Sequence, residues 1–478
     1  MSKIVMHLRQ ALATMREERL FSGIYIAGTA MALAFTMVMA VVYYIKLAPI
    51  YPEPNRTRTV YFDGMQVVAE NGGMGQMSFS SKAFEEWFQA SPNIEYCSPT
   101  LLAAGTGEVS ERAHKFVARQ KDDWVEVVCN LVAADFFHIY EYDFLCGRPL
   151  TRQDVEAHEQ VCVISDAFAE RMFGKAAVER GERQASLTPA EREQTPSEVK
   201  DEDVLGKIVA LENGFGLRVV GVVRAASQLT PDSYADILAP YTLWEIRTSS
   251  SPYTGFFSIV ATVKDSEQLR ALKREMDELA ARMTSSQQEY LGGTISFGEG
   301  VETRVELTRN LETHPMHALR SENRHFLEDV SDWQLIRHYA GLLFVLLFVP
   351  ALNLCAIVAG RMERRSAEMA VRKTFGARRS TLLWQVVHEN LVMTSIGGII
   401  GLVLAWLAVY AFRLEILGMF FDHTTLGTVP LVSGEMLFSP LLFIAAFAAI
   451  LVLNLLAAVV PAWWSLRKPI VEAMMEKQ

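Results

Sequence analysis

Over 478 residues the chain offers no G-x-x-x-x-G-K-S/T, no H-E-x-x-H and no kinase signature. It therefore shows no visible means of hydrolysing ATP or of activating water on a helix-borne zinc. Cysteine is scarce. Of the five, Cys97, Cys129, Cys146 and Cys162 fall between positions 47 and 337, and Cys355 falls in an apolar run. Their spacing suits neither a metal site nor a small disulfide-stapled domain, which leaves buried thiols, free or singly paired. The most telling absence is charge. The stretches 20–45, 339–360, 390–412 and 436–466 contain no Asp, Glu, Lys or Arg, and each reaches the roughly 20 residues that cross a bilayer core. With 50% hydrophobic residues and a mean hydropathy of +0.16, this distribution excludes a soluble enzyme, a fibrous protein and a disordered chain. Continuous apolar runs, rather than alternation, also argue against a β-barrel. The first run is longer than a signal-peptide core and lacks a convincing cleavage pattern before Pro49, so it reads as a retained anchor.

What charge there is falls unevenly. Positions 47–337 hold 29 Lys/Arg against 45 Asp/Glu, and the rest of the chain 16 against 10. Lys3, Arg9, Arg16 and Arg19 precede the first run. Arg361, Arg364, Arg365, Arg372, Lys373, Arg378 and Arg379 separate the second from the third, and Arg467, Lys468 and Lys477 follow the fourth. Only Arg413 lies between the third and fourth. The positive-inside rule then places both termini and the 361–389 loop in the cytoplasm and 47–337 outside.

The leader places Ile4, Leu8, Ala11, Leu12 and Met15 at helical spacing, which suits an interfacial helix on the inner leaflet. In the outside region, 58–62, 125–128, 161–164, 207–211, 218–223 and 256–263 read as strands, and 84–89, 166–173 and 266–284 as helices. This is a mixed α+β domain. The charged stretch 179–203, with Pro189 and Pro196, reads as a surface insertion. His314, His317 and His325, with Glu312 and Glu322 nearby, lack fixed ligand spacing and read as a solvated helix face rather than a metal site.

The loop Arg361-Met-Glu-Arg-Arg-Ser-Ala-Glu-Met-Ala-Val-Arg-Lys-Thr-Phe-Gly376-Ala-Arg-Arg-Ser380 is the segment richest in functional signal. Helix formers run to Phe375, and Gly376 stands where a left-handed C′ residue belongs. Arg372 and Lys373 occupy the last turn, where cations complement the helix dipole. Met369 and Phe375 add apolar contacts, and Glu368, Arg372 and Phe375 share one face at i, i+4 and i+7. In the spans, Pro350 can kink a helix. Gly397, Gly398 and Gly401 leave a small-residue strip for close helix approach, and Asn353, Asn454 and His388 suit interhelical hydrogen bonding.

The order E-M-A-V-R-K-T-F-G-A is more particular than orientation requires. It resembles the signature of the FtsX-like permease module, also present in MacB-type exporters, which runs roughly R-x-x-E-I/M-A/G-x-R-K/R-x-x-G-A. Arg365, Glu368, Met369, Ala370, Arg372, Lys373, Gly376 and Ala377 occupy its positions. Ile396-Gly-Gly-Ile-Ile-Gly401, Asn353, Val460-Pro461-Ala462 and Lys468-Pro469-Ile470 are similar to later parts of the module. Phe136-Phe137…Tyr142…Gly147-Arg148-Pro149-Leu150…Asp154, Val161-Cys-Val-Ile-Ser165, Gly206-Lys-Ile and Val219-Val-Gly-Val-Val223 resemble the MacB-type ectodomain.

The resemblance implies a type VII ABC-transporter permease in a bacterial inner membrane. Its fold would be four transmembrane α-helices, with a large mixed α+β extracytoplasmic domain between helices 1 and 2. The expected layout is a cytoplasmic interfacial helix at 1–19, spans at 20–45, 339–360, 390–412 and 436–466, and a MacB-like periplasmic domain at 46–338. A coupling helix and loop occupy 361–389, a short periplasmic loop 413–435 and a cytoplasmic tail 467–478. No catalytic, cofactor or metal residue is expected on this chain. ATP and Mg would bind partner ABC ATPase subunits, since only 19 residues precede Leu20. Further partners would be a second permease copy or paralogue, a periplasmic adaptor, an outer-membrane channel and membrane lipids, with no nucleic acid. The other reading is an FtsX-type regulator that activates a cell-wall hydrolase.

Overall fold

The first apolar run is helical throughout. In the computed structural model, α1 spans Arg19–Leu47. The structure describes residues 15–17, 19–101, 115–120, 123–174, 204–212, 214, 216–243, 251–291, 301–307, 311–320, 331–364, 371–372, 374–413, 415–416, 436 and 439–465. The 179–203 insertion and most of the 1–19 leader and 413–435 loop lie outside them. The chain divides into two units: 46–324 with 421–432, and 1–45 with 325–420 and 433–478.

The first of these units is mixed α+β, as the pattern of short β-branched runs and amphipathic helices predicts. Its strands are β1 Thr59–Phe62, β2 Met65–Ala69, β3 Met74–Phe79, β4 Tyr96–Thr100, β5 Lys115–Gln120, β6 Asp123–Val132, β7 Phe144–Gly147, β8 Val161–Ser165, β9 Ile208–Ala210, β10 Gly216–Val223, β11 Ile237–Pro240, β12 Thr254–Gly255, β13 Ser258–Thr262, β14 Thr303–Glu306 and β15 Leu311–Thr313. A seven-stranded sheet runs β5-β6-β11-β8-β10-β7, with β9 paired to β10. Two four-stranded sheets run β15-β1-β13-β4 and β12-β3-β2-β14. Strand β8, Val-Cys-Val-Ile-Ser, is buried at every position and pairs in parallel with β10, as a strand covered on both faces should. Strand β1 sends Val60 and Phe62 into one core cluster and Tyr61 into another, which is the two-residue alternation of a pleated strand.

Helix α2, Asp166–Phe173, starts where the Ser165 hydroxyl accepts from the Phe168 N–H. Helix α3, Ser266–Ser285, starts where Asp265 accepts from Glu267 and Gln268. Both are N-caps that satisfy donors the first turn leaves open. α3 buries Leu272, Met276, Leu279 and Met283 on one face. A short helix, α4, covers His314–Arg320. Cys97, Cys129, Cys146 and Cys162 are buried and form no disulfide among the described residues.

The Gly147-Arg148-Pro149-Leu150…Asp154 pattern has a physical explanation. Gly147 sits at φ +78, and a Cβ there would collide with the Val220 carbonyl of β10. Arg148 then grips buried Asp154 through two hydrogen bonds of 2.5 and 2.9 Å. Asp154 and Thr151 also form a reciprocal capping box for the helix Arg152–Glu156, so one carboxylate holds both a loop and a helix start.

In the second unit, α5 spans Asp332–Arg364, α6 Arg379–Ala411 and α7 Pro440–Ser465. Among the described residues, Arg19–Leu47, Arg379–Ala411 and Pro440–Trp464 are long and apolar enough to cross a membrane. The run at 339–360 lies inside α5 as continuous helix. Tyr25 of α1, Val358 and Met362 of α5, Val386 and Met393 of α6, and Ala458 and Ala462 of α7 form one cluster. α6 begins well before the charge-free run at 390, because charge marks where hydrocarbon ends rather than where a helix must stop.

Arg148 holds the Asp154 pKa down to about 2. A carboxylate lowered in the folded state contributes stability that is complete above its usual pKa of about 4 and is lost as the pH falls through about 2. Asp154→Ala should cost about 1–2 kcal/mol at pH 7 through the lost cap and ion pair. The gap to wild type should narrow as the pH falls toward 2. Urea unfolding followed by tryptophan fluorescence at several pH values checks this, and a gap independent of pH would refute it.

Candidate functional site

The loop between α5 and α6 ends in a built cap. The Phe375 N–H donates to the Val371 carbonyl at 3.2 Å, and the Ala377 N–H to the Arg372 carbonyl at 3.0 Å. With Gly376 at φ +89, the second bond is the long closing bond of a Schellman turn, a conformation that favours glycine. Arg372 is half-buried and donates to Gln385 Oε1 of α6 at 3.0 Å. Phe375, at the cap, is 88% exposed. The expected common face is therefore divided: Arg372 turns toward α6 and Phe375 toward the surroundings. Arg365, Glu368, Met369 and Lys373 lie outside the described residues.

Three glycines of α6 serve two neighbours. A Cβ at Gly397 would come within 2.9 Å of the Ile26 carbonyl oxygen, and one at Gly401 within 2.6 Å of the Ala30 carbonyl oxygen. Gly397 and Gly401, four apart on one helix face, therefore let the α6 backbone approach that of α1, as small-xxx-small spacing allows. Gly398 meets the Phe447 ring of α7 instead. The buried hydroxyls of Tyr25 and Thr394 join α1 to α6 at 3.0 Å. Asn454 is buried, and its Nδ2 has no hydrogen-bond partner among the described residues. His388 bonds the Trp384 carbonyl of its own helix at 2.7 Å. The side chains of Pro350 and Asn353 lie outside the described residues.

One expectation is overturned. His314 and His317 do not lie on a solvated helix face: they are 2% and 6% exposed. The antiparallel register of β15 on β1 sets Glu312 opposite Tyr61, and α4 follows at once, so both imidazoles fold inward. His314 Nε2 lies 3.0 Å from the Lys46 carbonyl and Nδ1 3.1 Å from the Tyr61 hydroxyl. A carbonyl only accepts, so Nε2–H donates to it and Nδ1 accepts from Tyr61. Burial, helped by Arg56, holds the His314 pKa below its usual value, which suits this neutral ring. His317 stacks on the Tyr61 ring, with centroids 4.1 Å apart and an interplanar angle of 7°. Its Nε2 is 3.2 Å from Asp232 Oδ1, and its Nδ1 is 3.4 Å from Glu312 Oε2 and 3.6 Å from Asp63 Oδ2. Burial alone would lower the His317 pKa, but Asp232 and Asp63 outweigh it and hold it well above the usual value. Around this group Glu53 pairs with Arg56 at 2.7 Å and accepts from Ser233 at 2.6 Å, and Arg320 pairs with Glu312 at 2.6 Å. Asp63, Asp232, Glu53 and Arg56 carry no sequence signal of this role, because they meet the histidines only through the fold. His325 and Glu322 lie outside the described residues.

Two family models match the chain: the MacB-like periplasmic core domain over residues 22–279 and the FtsX-like permease C-terminal domain over residues 340–470. The chain is 20% identical over 297 residues to an uncharacterized ABC transporter permease, YknZ, of Bacillus subtilis, covering 62% of this chain and 60% of that protein. It is 27% identical over 301 residues to the macrolide export ATP-binding/permease protein MacB of Rhodopirellula baltica, covering 60% of this chain and 39% of that one. It thus spans less than two thirds of the length of these relatives. The crystal structure of the periplasmic region of MacB from Actinobacillus actinomycetemcomitans aligns at 14% identity, covering 53% of this chain and 89% of that one, with a TM-score of 0.30.

The glycine geometry predicts a ranked pair of substitutions. Gly401→Ala presses on α1 backbone, which cannot rotate aside, and should cost about 1–3 kcal/mol, the range for overpacking. Gly398→Ala presses on the Phe447 ring and should cost less. Thermal unfolding of the purified protein in detergent measures both, and the reverse order would contradict the contacts described.

Proposed function

Because this chain belongs to the family of ABC transporter permeases built from a MacB-like periplasmic core domain and an FtsX-like C-terminal domain, we propose that it is the membrane subunit of a type VII ABC transporter. It would couple ATP hydrolysis by separate ATPase subunits to rearrangement of the outside domain, driving export or extraction without passage between the spans. In this reading the chain has four spans, with 339–360 as the second, both termini in the cytoplasm and the 46–338 domain in the periplasm. ATP and Mg belong to the ATPases, and the permease works as a pair with a second copy or a paralogue.

The observation that carries the coupling role is the Phe375 side chain, 88% exposed at a rigidly capped helix end. An aromatic ring presented beside basic residues suits a groove on a protein, where aromatic anchors supply much of the binding energy. A partner that closed against Phe375 would load the capped turn. The Arg372–Gln385 hydrogen bond would pass the load to α6, and the contacts at Gly397 and Gly401 would pass it to α1.

Phe375→Asp removes the anchor and sets a negative charge near the helix's negative end, unfavourable by about 0.3–1 kcal/mol before any lost contact. The variant should insert at normal abundance and lose ATPase co-purification about tenfold or more, the size expected for an aromatic anchor. Full binding and full activity would leave the loop with a topogenic role only. Topology is tested separately with cysteines placed by Ser197→Cys and Ser380→Cys. An impermeant maleimide should label the first from outside and the second only after permeabilisation, and reversed labelling would overturn the orientation.

A further inference from the structure

Two buried clusters in the 46–324 unit each place one imidazole and two carboxylates together: Glu53, Asp232 and His314, and Asp63, Glu312 and His317. They differ in whether their donor atoms are already used. Both His314 nitrogens are engaged, by Tyr61 and the Lys46 carbonyl. Both Glu53 oxygens are engaged, by Arg56 and Ser233. Two of the first cluster's three members thus have both donor or acceptor atoms committed.

The second cluster differs. His317 Nδ1 and Glu312 Oε2, each on a side chain more than nine-tenths buried, make no hydrogen bond, although they lie 3.4 Å apart. Asp63 Oδ2 stands 3.6 Å from the same nitrogen. We propose that Asp63, Glu312 and His317 bind one divalent transition-metal ion of the zinc class, through Asp63 Oδ2, Glu312 Oε2 and His317 Nδ1. Neither the transport reading nor its coupling helix is required for this.

The spacing fits. Zinc bonds to nitrogen and carboxylate oxygen are about 2.0–2.1 Å, so neighbouring ligand atoms of a tetrahedron lie about 3.3 Å apart. The supporting contacts fit as well. A ligating histidine commonly donates its other N–H to a carboxylate, which fixes tautomer and ring orientation. Here His317 Nε2 lies 3.2 Å from Asp232, and the Tyr61 ring stacks on the imidazole. Arg320 holds the second oxygen of Glu312. Charge points the same way. Arg56 pairs with Glu53 and Arg320 with Glu312, and a dication would offset negative charge at Asp63 and Asp232. One nitrogen and two carboxylate oxygens suit zinc or manganese over calcium or magnesium, and three protein ligands leave a position for water. The competing arrangement is an imidazolium paired with the same carboxylates at 3.4 and 3.6 Å, which their charge favours when no metal is bound, and the two are told apart by the metal content.

The test uses the full chain in detergent, stripped with a chelator and dialysed, then loaded with Zn²⁺ or Mn²⁺ alone. Metal analysis should find about one zinc per chain, with a rise in melting temperature on loading. Asp63→Asn and Glu312→Gln should each weaken zinc binding by more than tenfold, and Asp232→Asn by about 10–100-fold through His317. Glu53→Gln, in the first cluster, should leave affinity within about threefold. Because changes in a buried cluster can unfold the domain, the zinc X-ray absorption of the wild-type protein is the independent measurement. One histidine nitrogen and carboxylate oxygens at about 2.0–2.1 Å support the site. Sub-stoichiometric zinc in the wild type, sulfur in its shell, or equal loss in Glu53→Gln would overturn it in favour of the ion-paired imidazolium.

Discussion

The hydrocarbon core of a membrane accepts neither an unpaired backbone group nor an isolated charge, and the second unit is organised by that exclusion. Each unsatisfied polar group there costs several kcal/mol, so an apolar run has to be continuous helix, as α1, α6 and α7 are. Nor can burial of apolar surface drive them together, because lipid tails are as apolar as leucine. Close approach must do so instead. At Gly397 and Gly401 the missing side chains bring α6 onto the carbonyls of Ile26 and Ala30. Leucine-rich surface is left exposed, as at Leu404, Leu407, Leu441 and Leu456. Arg372 and Phe375 lie before the start of α6, outside its apolar stretch.

The 46–324 unit handles polar groups in the opposite way, by burying them in quantity and satisfying them with one another. Removing either partner of a buried ion pair leaves an uncompensated charge and typically costs about 3–5 kcal/mol, whereas the intact pair adds little net stability. Glu53, held by Arg56 and Ser233, is such a commitment. It ties the start of the domain to the segment before β11. The His314 bonds to Tyr61 and to the Lys46 carbonyl do the same between α4, β1 and the chain entering the domain. These groups specify which segments meet more than they hold the domain together.

Local elements were legible because their causes are local. β8 is a run of β-branched and small apolar residues, α2 and α3 begin at Ser165 and Asp265 caps, and Gly376 follows a helical pattern into a left-handed turn. β2 and β3 escaped because Met-Gln-Val-Val-Ala and Met-Gly-Gln-Met-Ser-Phe show little β-branched enrichment, and their pairing with each other and with β14 supplies what composition does not. The histidines were misread for a related reason. His-Pro-Met-His beside charged residues looks solvated, yet Tyr61 and Asp232 reach it from positions 253 and 85 residues away. No local pattern encodes such a contact. Likewise no local pattern tells that Arg372 reaches Gln385 of α6 while Phe375, one turn on, is left exposed.

That division bears on how the loop could act under the proposed coupling. Were Arg372 exposed like Phe375, a partner would grip both and could rotate the helix about its own axis. With the turn closed at Gly376, Arg372 bonded to Gln385 and Phe375 exposed, the described part of the element offers a handle and a tie to α6. Force applied at the ring would be taken up by a turn closed by main-chain hydrogen bonds and by a helix of 33 residues, about 50 Å long at 1.5 Å per residue. A helix of that length bends gently but does not shorten without breaking its ladder of hydrogen bonds. Under the proposed coupling, motion along or across α6 would therefore be the mode such a helix favours. The glycine contacts with α1 are where such a motion would be felt, because backbone pressed against backbone has no side-chain rotamer with which to absorb it.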